Sequence, residues 1–258
     1  MTSQLYTKTL YLNKDIEYLF QNEIIEYDIK EAGYNIIKYF KLLSDDKIRL
    51  LDSYPTKEQR HIKIGLYQRD DKNFATELSN KFSDVRRMFF EANNIEDTDI
   101  ISIKKDAIFI KNKYCSKCKF DNIDFRVKNR YTSYLYLDNN EFYFDRNKVD
   151  VKGLNDDVVL KHKDYMLDFL HTFVKLVENG NNKITINQFK QFIDYYRNKE
   201  LDINYYRELN KRSMFRIFDN NISEGFYYSD NESSFDDDKV DIMYNYVKYI
   251  TPLISIVL

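Results

Sequence analysis

Two aspartates stand where a carboxylate can do chemistry. Asp106 sits in Lys104-Lys105-Asp106, a charged centre between the apolar runs Ile100-Ile101-Ser102-Ile103 and Ala107-Ile108-Phe109-Ile110. Each run is long enough for a buried strand, and the charged centre reads as the turn of a hairpin. A carboxylate at the tip of so apolar a hairpin needs a partner or a cation, and solvent, metal and ligand can all reach it there. Asp28, in Tyr27-Asp28-Ile29-Lys30-Glu31-Ala32, precedes Ala32, Ile36, Ile37 and Phe40, which recur at helical spacing. It serves equally well as a helix N-cap or as a functional carboxylate.

The other candidates are basic, sulfur-bearing or imidazole groups. Over 70–93 the residues Phe74, Leu78, Phe82, Val85 and Phe89 form one helical stripe, and Lys72, Lys81, Arg86 and Arg87 lie off it. A charged face of this kind is usually solvated, and it holds phosphates when it looks into a cleft. Cys115 and Cys118 are the only cysteines. One Cys-x-x-Cys pair without further ligands falls short of a structural zinc site and reads as two reduced thiols in a loop or hairpin. His61, His162 and His171 are scattered. They read as ordinary surface or packing residues, which leaves a hydrolytic nuclease without a histidine or third acid in the motifs.

The elements that must position these groups follow from composition and pattern. The chain of 258 residues is 43% hydrophobic and 16% aromatic, enough for a sizeable core without disulfides. Five glycines and two prolines argue against a loop-rich sandwich. A net charge of −2 excludes a general polyanion binder, so any nucleic-acid contact must come from a local patch. Lys, Asn, Ile and Tyr are abundant, the bias of AT-rich coding found in phages and some bacteria. No signal peptide and no membrane-spanning run are expected, which places the protein in the cytoplasm, that of the host if it is viral.

Residues 1–28 read as strand-rich entry, with a short helix or extended pair over 15–26. Short helical pieces are expected at 44–49 and 56–61, on either side of Tyr54-Pro55. After the Asp106 hairpin, 123–127, 131–137, 141–144 and 148–151 are β-like, with Asp138-Asn139-Asn140 as a turn. From 157 onward the pattern is mostly helical, with one helix ended by Asn179-Gly180 and others over 186–197 and 201–207. An acidic surface loop over 229–238 and an apolar helix over 240–258, packed back on the core, complete the chain. The expected class is α+β: a small antiparallel palm-like sheet with packed helices and a helical C-terminal part. The expected division is 1–155, palm- and fingers-like, and 156–258, thumb-like.

The order of these stretches resembles the palm region of family B DNA polymerases over roughly residues 20–175. Tyr27-Asp28-Ile29-Lys30-Glu31-Ala32 is similar to the first palm motif, where an Asp ends a strand before a helix. Lys104-Lys105-Asp106-Ala107-Ile108-Phe109 is similar to the third, a hairpin usually written Asp-Thr-Asp-Ser. Lys128-Asn129-Arg130-Tyr131 resembles the Lys-Lys-Arg-Tyr strand, and Lys148-Val149-Asp150-Val151-Lys152-Gly153 the later Lys-Gly turn. Lys104 replaces the first acid of the third motif, the fingers are short, and no exonuclease segment precedes Asp28.

The resemblance implies a nucleotidyltransferase that uses two Mg2+ or Mn2+ ions on a primer-template, with Asp28 and Asp106 as catalytic residues and metal ligands. By the same carry-over Arg86 or Arg87, with Lys72 or Lys81, binds triphosphate, and Lys128, Arg130, Tyr131 and Lys152 hold the nucleic acid. A lysine in place of an acid also implies the alternative, a palm that has lost catalysis and binds nucleic acid, a polymerase or a host protein.

Overall fold

The computed structural model describes residues 3–137, 140–152 and 162–180, with residues 191, 195, 207–209, 214–218, 224–228 and 233–234. The first ten strands are β1 (Leu10–Leu12), β2 (Tyr18–Leu19), β3 (Ile24–Ile29), β4 (Ile100–Lys104), β5 (Ala107–Lys111), β6 (Lys119–Phe120), β7 (Ile123–Tyr131), β8 (Ser133–Leu137), β9 (Asn140–Phe144) and β10 (Val149–Lys152). The described helices are α1 (Ala32–Phe40), α2 (Asp45–Ser53), α3 (Lys57–Asp70), α4 (Lys72–Asn93) and α5 (His162–Glu178). The expected α+β class, with antiparallel sheets and packed helices, is what the described residues form. No described helix is long and apolar enough to cross a membrane.

The chain divides into two compact units, Met1–Ile16 with Asn22–Tyr131, and Glu17–Gln21 with Thr132–Leu258. The first holds a six-stranded antiparallel sheet in the order β1-β4-β5-β3-β7-β6. Strand β3 is central in it, and all six of its residues are buried. Ile25, Tyr27 and Ile29 join α1 and α4 in one apolar core through Ile36, Ile37, Val85, Phe89 and Phe90. Helix α4 forms because Phe74, Leu78, Val85 and Phe89 share one face, and because the Asp71 carboxylate accepts the Phe74 N–H at 3.1 Å as its cap. Thr56 caps α3 in the same way, accepting from Gln59 N–H at 3.3 Å.

In the second unit β10-β9-β8-β2 form a four-stranded antiparallel sheet, followed by α5. Strand β8 pairs with β2, β9 with β8 and β10 with β9, so all three belong to the unit that begins after Tyr131. Where the pattern predicts mostly helices, the described residues from 207 onward form four short strands: β11 (Arg207–Leu209), β12 (Met214–Phe218), β13 (Glu224–Tyr228) and β14 (Ser233–Ser234). The runs Met214-Phe215-Arg216-Ile217-Phe218 and Gly225-Phe226-Tyr227-Tyr228 are rich in the aromatic residues that favour strands. Of the expected helix over 186–197 only Gln191 and Tyr195 are described, both in helical conformation, and of the one over 201–207 only Arg207, which begins β11. The rest of both, most of the acidic loop 229–238 and the apolar segment 240–258 lie outside the described residues.

Candidate two-carboxylate site

The hairpin is as expected, and its turn is the shortest possible. Lys104 pairs with Ala107, so Lys105 and Asp106 alone reverse the chain. A two-residue hairpin turn requires positive φ, and Lys105 supplies it at φ 58. For a residue with a side chain this left-handed conformation costs about 1 kcal/mol. Contacts from distant segments hold it: the Lys105 N–H donates to Thr9 O at 2.7 Å, and the Lys105 carbonyl accepts from Arg86 Nη1 at 3.0 Å.

Asp28 reaches the same place from β3. It lies opposite Ala107 on β5 and opposite Arg126 on β7. The strand continues to Ile29, the Lys30 N–H bonds Asp124 O at 2.9 Å, and the chain turns into α1 at Glu31 with φ 44. Asp28 is therefore a strand residue and not the cap of α1. Its carboxyl stands within hydrogen-bonding reach of Asp106. Burial and the Asp28 charge push the Asp106 carboxyl above its usual range, against its own backbone hydrogen bond and the charge of Lys128, which pull it down.

Cations already face these carboxylates. Arg126 Nη2 lies 3.3 Å from Asp28 Oδ2. Lys128 Nζ donates to Glu26 Oε1 at 3.0 Å. Its burial opposes its charge, but Glu26, Asp28 and Asp106 together hold it above the ordinary lysine value. The register of β3 and β7 shifts between Glu26 and Tyr27, which pair with Asn129 and Val127, so Lys128 is the extra residue of a bulge. Bulges re-aim side chains, and here Lys128 and Asn129 both reach Glu26.

Glu26 is the residue that the sequence reading missed. It is fully buried and accepts from Lys128, from Asn129 Nδ2 at 2.6 Å and from Tyr131 OH at 3.0 Å. Acids two apart in an apolar strand share a face, so Glu26 and Asp28 carried a legible signal. Glu26 spends its oxygens on these donors, and among the described residues no cluster of three His, Cys, Asp or Glu is placed to hold a metal ion. The pair Asp28 and Asp106 nevertheless fits a hard divalent cation: two carboxylates, one on β3 and one in the adjoining hairpin turn, with the Asp106 proton held more tightly by burial and by the Asp28 charge.

The basic residues expected to bind triphosphate are placed otherwise. Arg86 is fully buried and bonds only protein atoms: Tyr6 O from Nε at 2.7 Å, Lys105 O, and Ser83 Oγ from Nη2 at 3.2 Å. It cannot meet a ligand. Lys81 and Arg87 both pair with Asp84, at 2.9 and 3.1 Å, and Lys72 opens α4. None of the four lines the cleft beside Asp106. That cleft, about 470 Å³, is walled by Lys57, His61, Gln68, Lys105 and Asp106 over an apolar floor that includes Phe82. Lys57, His61 and Gln68 recur at helical spacing along α3, a polar stripe that the reading of His61 as an ordinary residue passed over.

The expected nucleic-acid contacts also divide. Tyr131 is buried with its hydroxyl on Glu26, which makes it an internal donor and not a surface contact. Arg130 is paired with Glu23 and lies 5.5 Å over the Tyr114 ring. Lys128 is partly exposed beside the carboxylates. Lys152 lies in the second unit, at the end of β10 opposite Glu141. Cys115 and Cys118 are free thiols, and Cys115 is buried with its N–H on Tyr27 OH. His171 stands against Asp145 O at 3.1 Å.

A family model described as "Bacteriophage PBS1 gene 130 protein" matches residues 1–258, and the chain belongs to that phage family. No curated protein matches it.

Proposed function

We propose that this phage protein is a reduced, polymerase-like nucleotidyltransferase that acts on a primer-template, with Asp28 and Asp106 as the ligands of two divalent ions, Mg2+ or Mn2+. The observation that carries the reading is the meeting of Asp28, on β3, with Asp106, in the turn before the neighbouring β5, where burial and the Asp28 charge make the Asp106 carboxyl harder to ionise. When bound, the ions would activate the attacking 3′ oxygen and neutralise charge on the triphosphate and its leaving group. The chain's own residues do the rest. Lys57, His61 and Lys105 line the cleft that opens on Asp106 and offer cations or donors to phosphate oxygens. Ala32 and Gly33, in the first turn of α1, border the same cleft with no side-chain cap on their helix. Lys128, partly exposed beside the carboxylates, is the residue best placed to meet a primer backbone.

A second reading has its own support. Arg126 pairs with Asp28, Lys128 stands beside both carboxylates, and Lys104 occupies the position of an acid. These cations compete with metal, as they would in a catalytically silent relative that binds nucleic acid or a protein partner. Primer extension with Mg2+ or Mn2+, run on the wild type, Asp28→Asn and Asp106→Asn, separates the two. Extension that both variants lack supports the enzyme. Absence of extension with retained primer-template binding in low salt favours the silent relative, and absence of binding turns the search to protein partners.

A further inference from the structure

We propose that Arg86 is a positioning residue for Asp106: from inside the molecule its guanidinium clamps the Lys105 carbonyl and so fixes the turn that aims the carboxylate. The inference rests on the two-carboxylate reading of the site. A fully buried arginine costs several kcal/mol of desolvation that hydrogen bonds must offset. Here each guanidinium nitrogen donates once: to Tyr6 O near the N-terminus, to Ser83 Oγ one turn earlier on α4, and to Lys105 O in the hairpin turn.

The turn needs such a clamp. Lys105 holds φ 58 without being glycine or asparagine, and neither chemistry nor sequence makes that conformation its own preference. Its N–H is tied to Thr9 O and its carbonyl to Arg86, so both polar groups of the strained residue are fixed from outside the hairpin. Asp106 is the next residue, and its direction follows from the torsions of Lys105. The same guanidinium binds Tyr6 O, which ties the N-terminal segment that carries Thr9 to the same helix. Arg86 thus secures both anchors of the turn while touching no ligand. Its neighbour Arg87 faces Asp84 and the Tyr6 ring and has no part in this.

The test measures Mn2+ binding to the full-length protein, together with amide hydrogen exchange, in the wild type, Arg86→Met, Arg86→Lys and Asp106→Asn at low temperature. Arg86→Met is expected to weaken Mn2+ binding about tenfold or more, the range found when residues supporting a metal ligand are removed. The Lys105 amide is expected to exchange faster while the β3 amides keep their protection. Arg86→Lys keeps the charge and one donor, and it should fall between. If Arg86→Met does not fold, Arg86→Lys carries the same comparison with a smaller loss. Unchanged Mn2+ affinity in a folded Arg86 variant, in a series where Asp106→Asn abolishes binding, overturns the proposal. So does exchange that rises equally throughout the core. If the wild type binds no Mn2+, the two-metal reading fails, and exchange at Lys105 alone decides whether Arg86 holds the turn.

Discussion

The two faces of β3 are equally buried and do opposite work. Ile25, Tyr27 and Ile29 point into the core with Phe89, Phe90 and Ile36. Ile24, Glu26 and Asp28 alternate with them, and two of those three are acids held at 0% and 9% exposure. On the core face shape decides: Phe89 stacks on Phe125 at 4.1 Å between centroids and meets Tyr27 at 5.3 Å. On the other face partners decide, since a buried carboxylate survives only with donors or cations around it. Glu26 has three donors and is satisfied. Asp28 has Arg126 and a crowded carboxyl neighbour, and it is the less settled of the two. An acid that still wants a cation is the better candidate for function.

The sharpest way to break this division is to damage the core face and look for an effect on the other. Phe89→Ala removes the ring that joins Phe125 to Tyr27, with an expected loss of about 4 kcal/mol in urea unfolding. Under conditions where the variant remains folded, Mn2+ affinity should stay near that of the wild type. A large loss of metal affinity in the folded variant would show that the two faces are one cooperative unit and that their contrast is only chemical.

The converse damage is smaller. Glu26→Ala strands the buried Tyr131 hydroxyl and the Asn129 amide, with an expected cost of about 2 kcal/mol. Lys128 is partly exposed and recovers solvent, so it adds little. Glu26→Gln keeps an acceptor and should cost about half as much. Both variants free Lys128 to approach Asp28 and Asp106, so Mn2+ binding should weaken in step. Unfolding in urea gives the stability change, and Mn2+ titration gives the second effect.

What the sequence made legible follows the same contrast. The hairpin that carries Asp106 and the apolar stripe of α4 could be read because a run of apolar residues around a charged turn, or at helical spacing, reports its own burial. Asp28 beside Asp106 came from the resemblance, since pairing between residues so far apart leaves no local pattern. The polar face was harder. Arg86 and Arg87 are adjacent and chemically identical, yet one is buried against three protein acceptors and the other lies on the surface with Asp84. No one-dimensional pattern tells them apart, because two of the three acceptors of Arg86 are carbonyls contributed by the distant Tyr6 and Lys105. Burial of a charged group depends on tertiary partners, and it was on such groups, Arg86, Tyr131 and Glu26, that residue-by-residue reading failed.

The smallest expected effect has the opposite sign. The Asp106 carboxyl is raised by burial and by Asp28, so the folded state holds its proton more tightly than the unfolded chain does. Such a group favours folding below the unfolded aspartate value, about 3.9, and that contribution is lost as pH rises through the raised folded value. At neutral pH the ionised carboxylate is therefore a burden on the fold. Asp106→Asn removes it, and in EDTA the variant should melt slightly above the wild type at pH 7, with the gain shrinking as pH falls toward 4. Added Mn2+ should close the gap by stabilising only the wild type, because a ligand that binds the native state alone raises its stability. A variant that melts lower at every pH would mean that Asp106 supports the turn as a structural acceptor, and the two faces of the sheet would then differ in polarity but not in purpose.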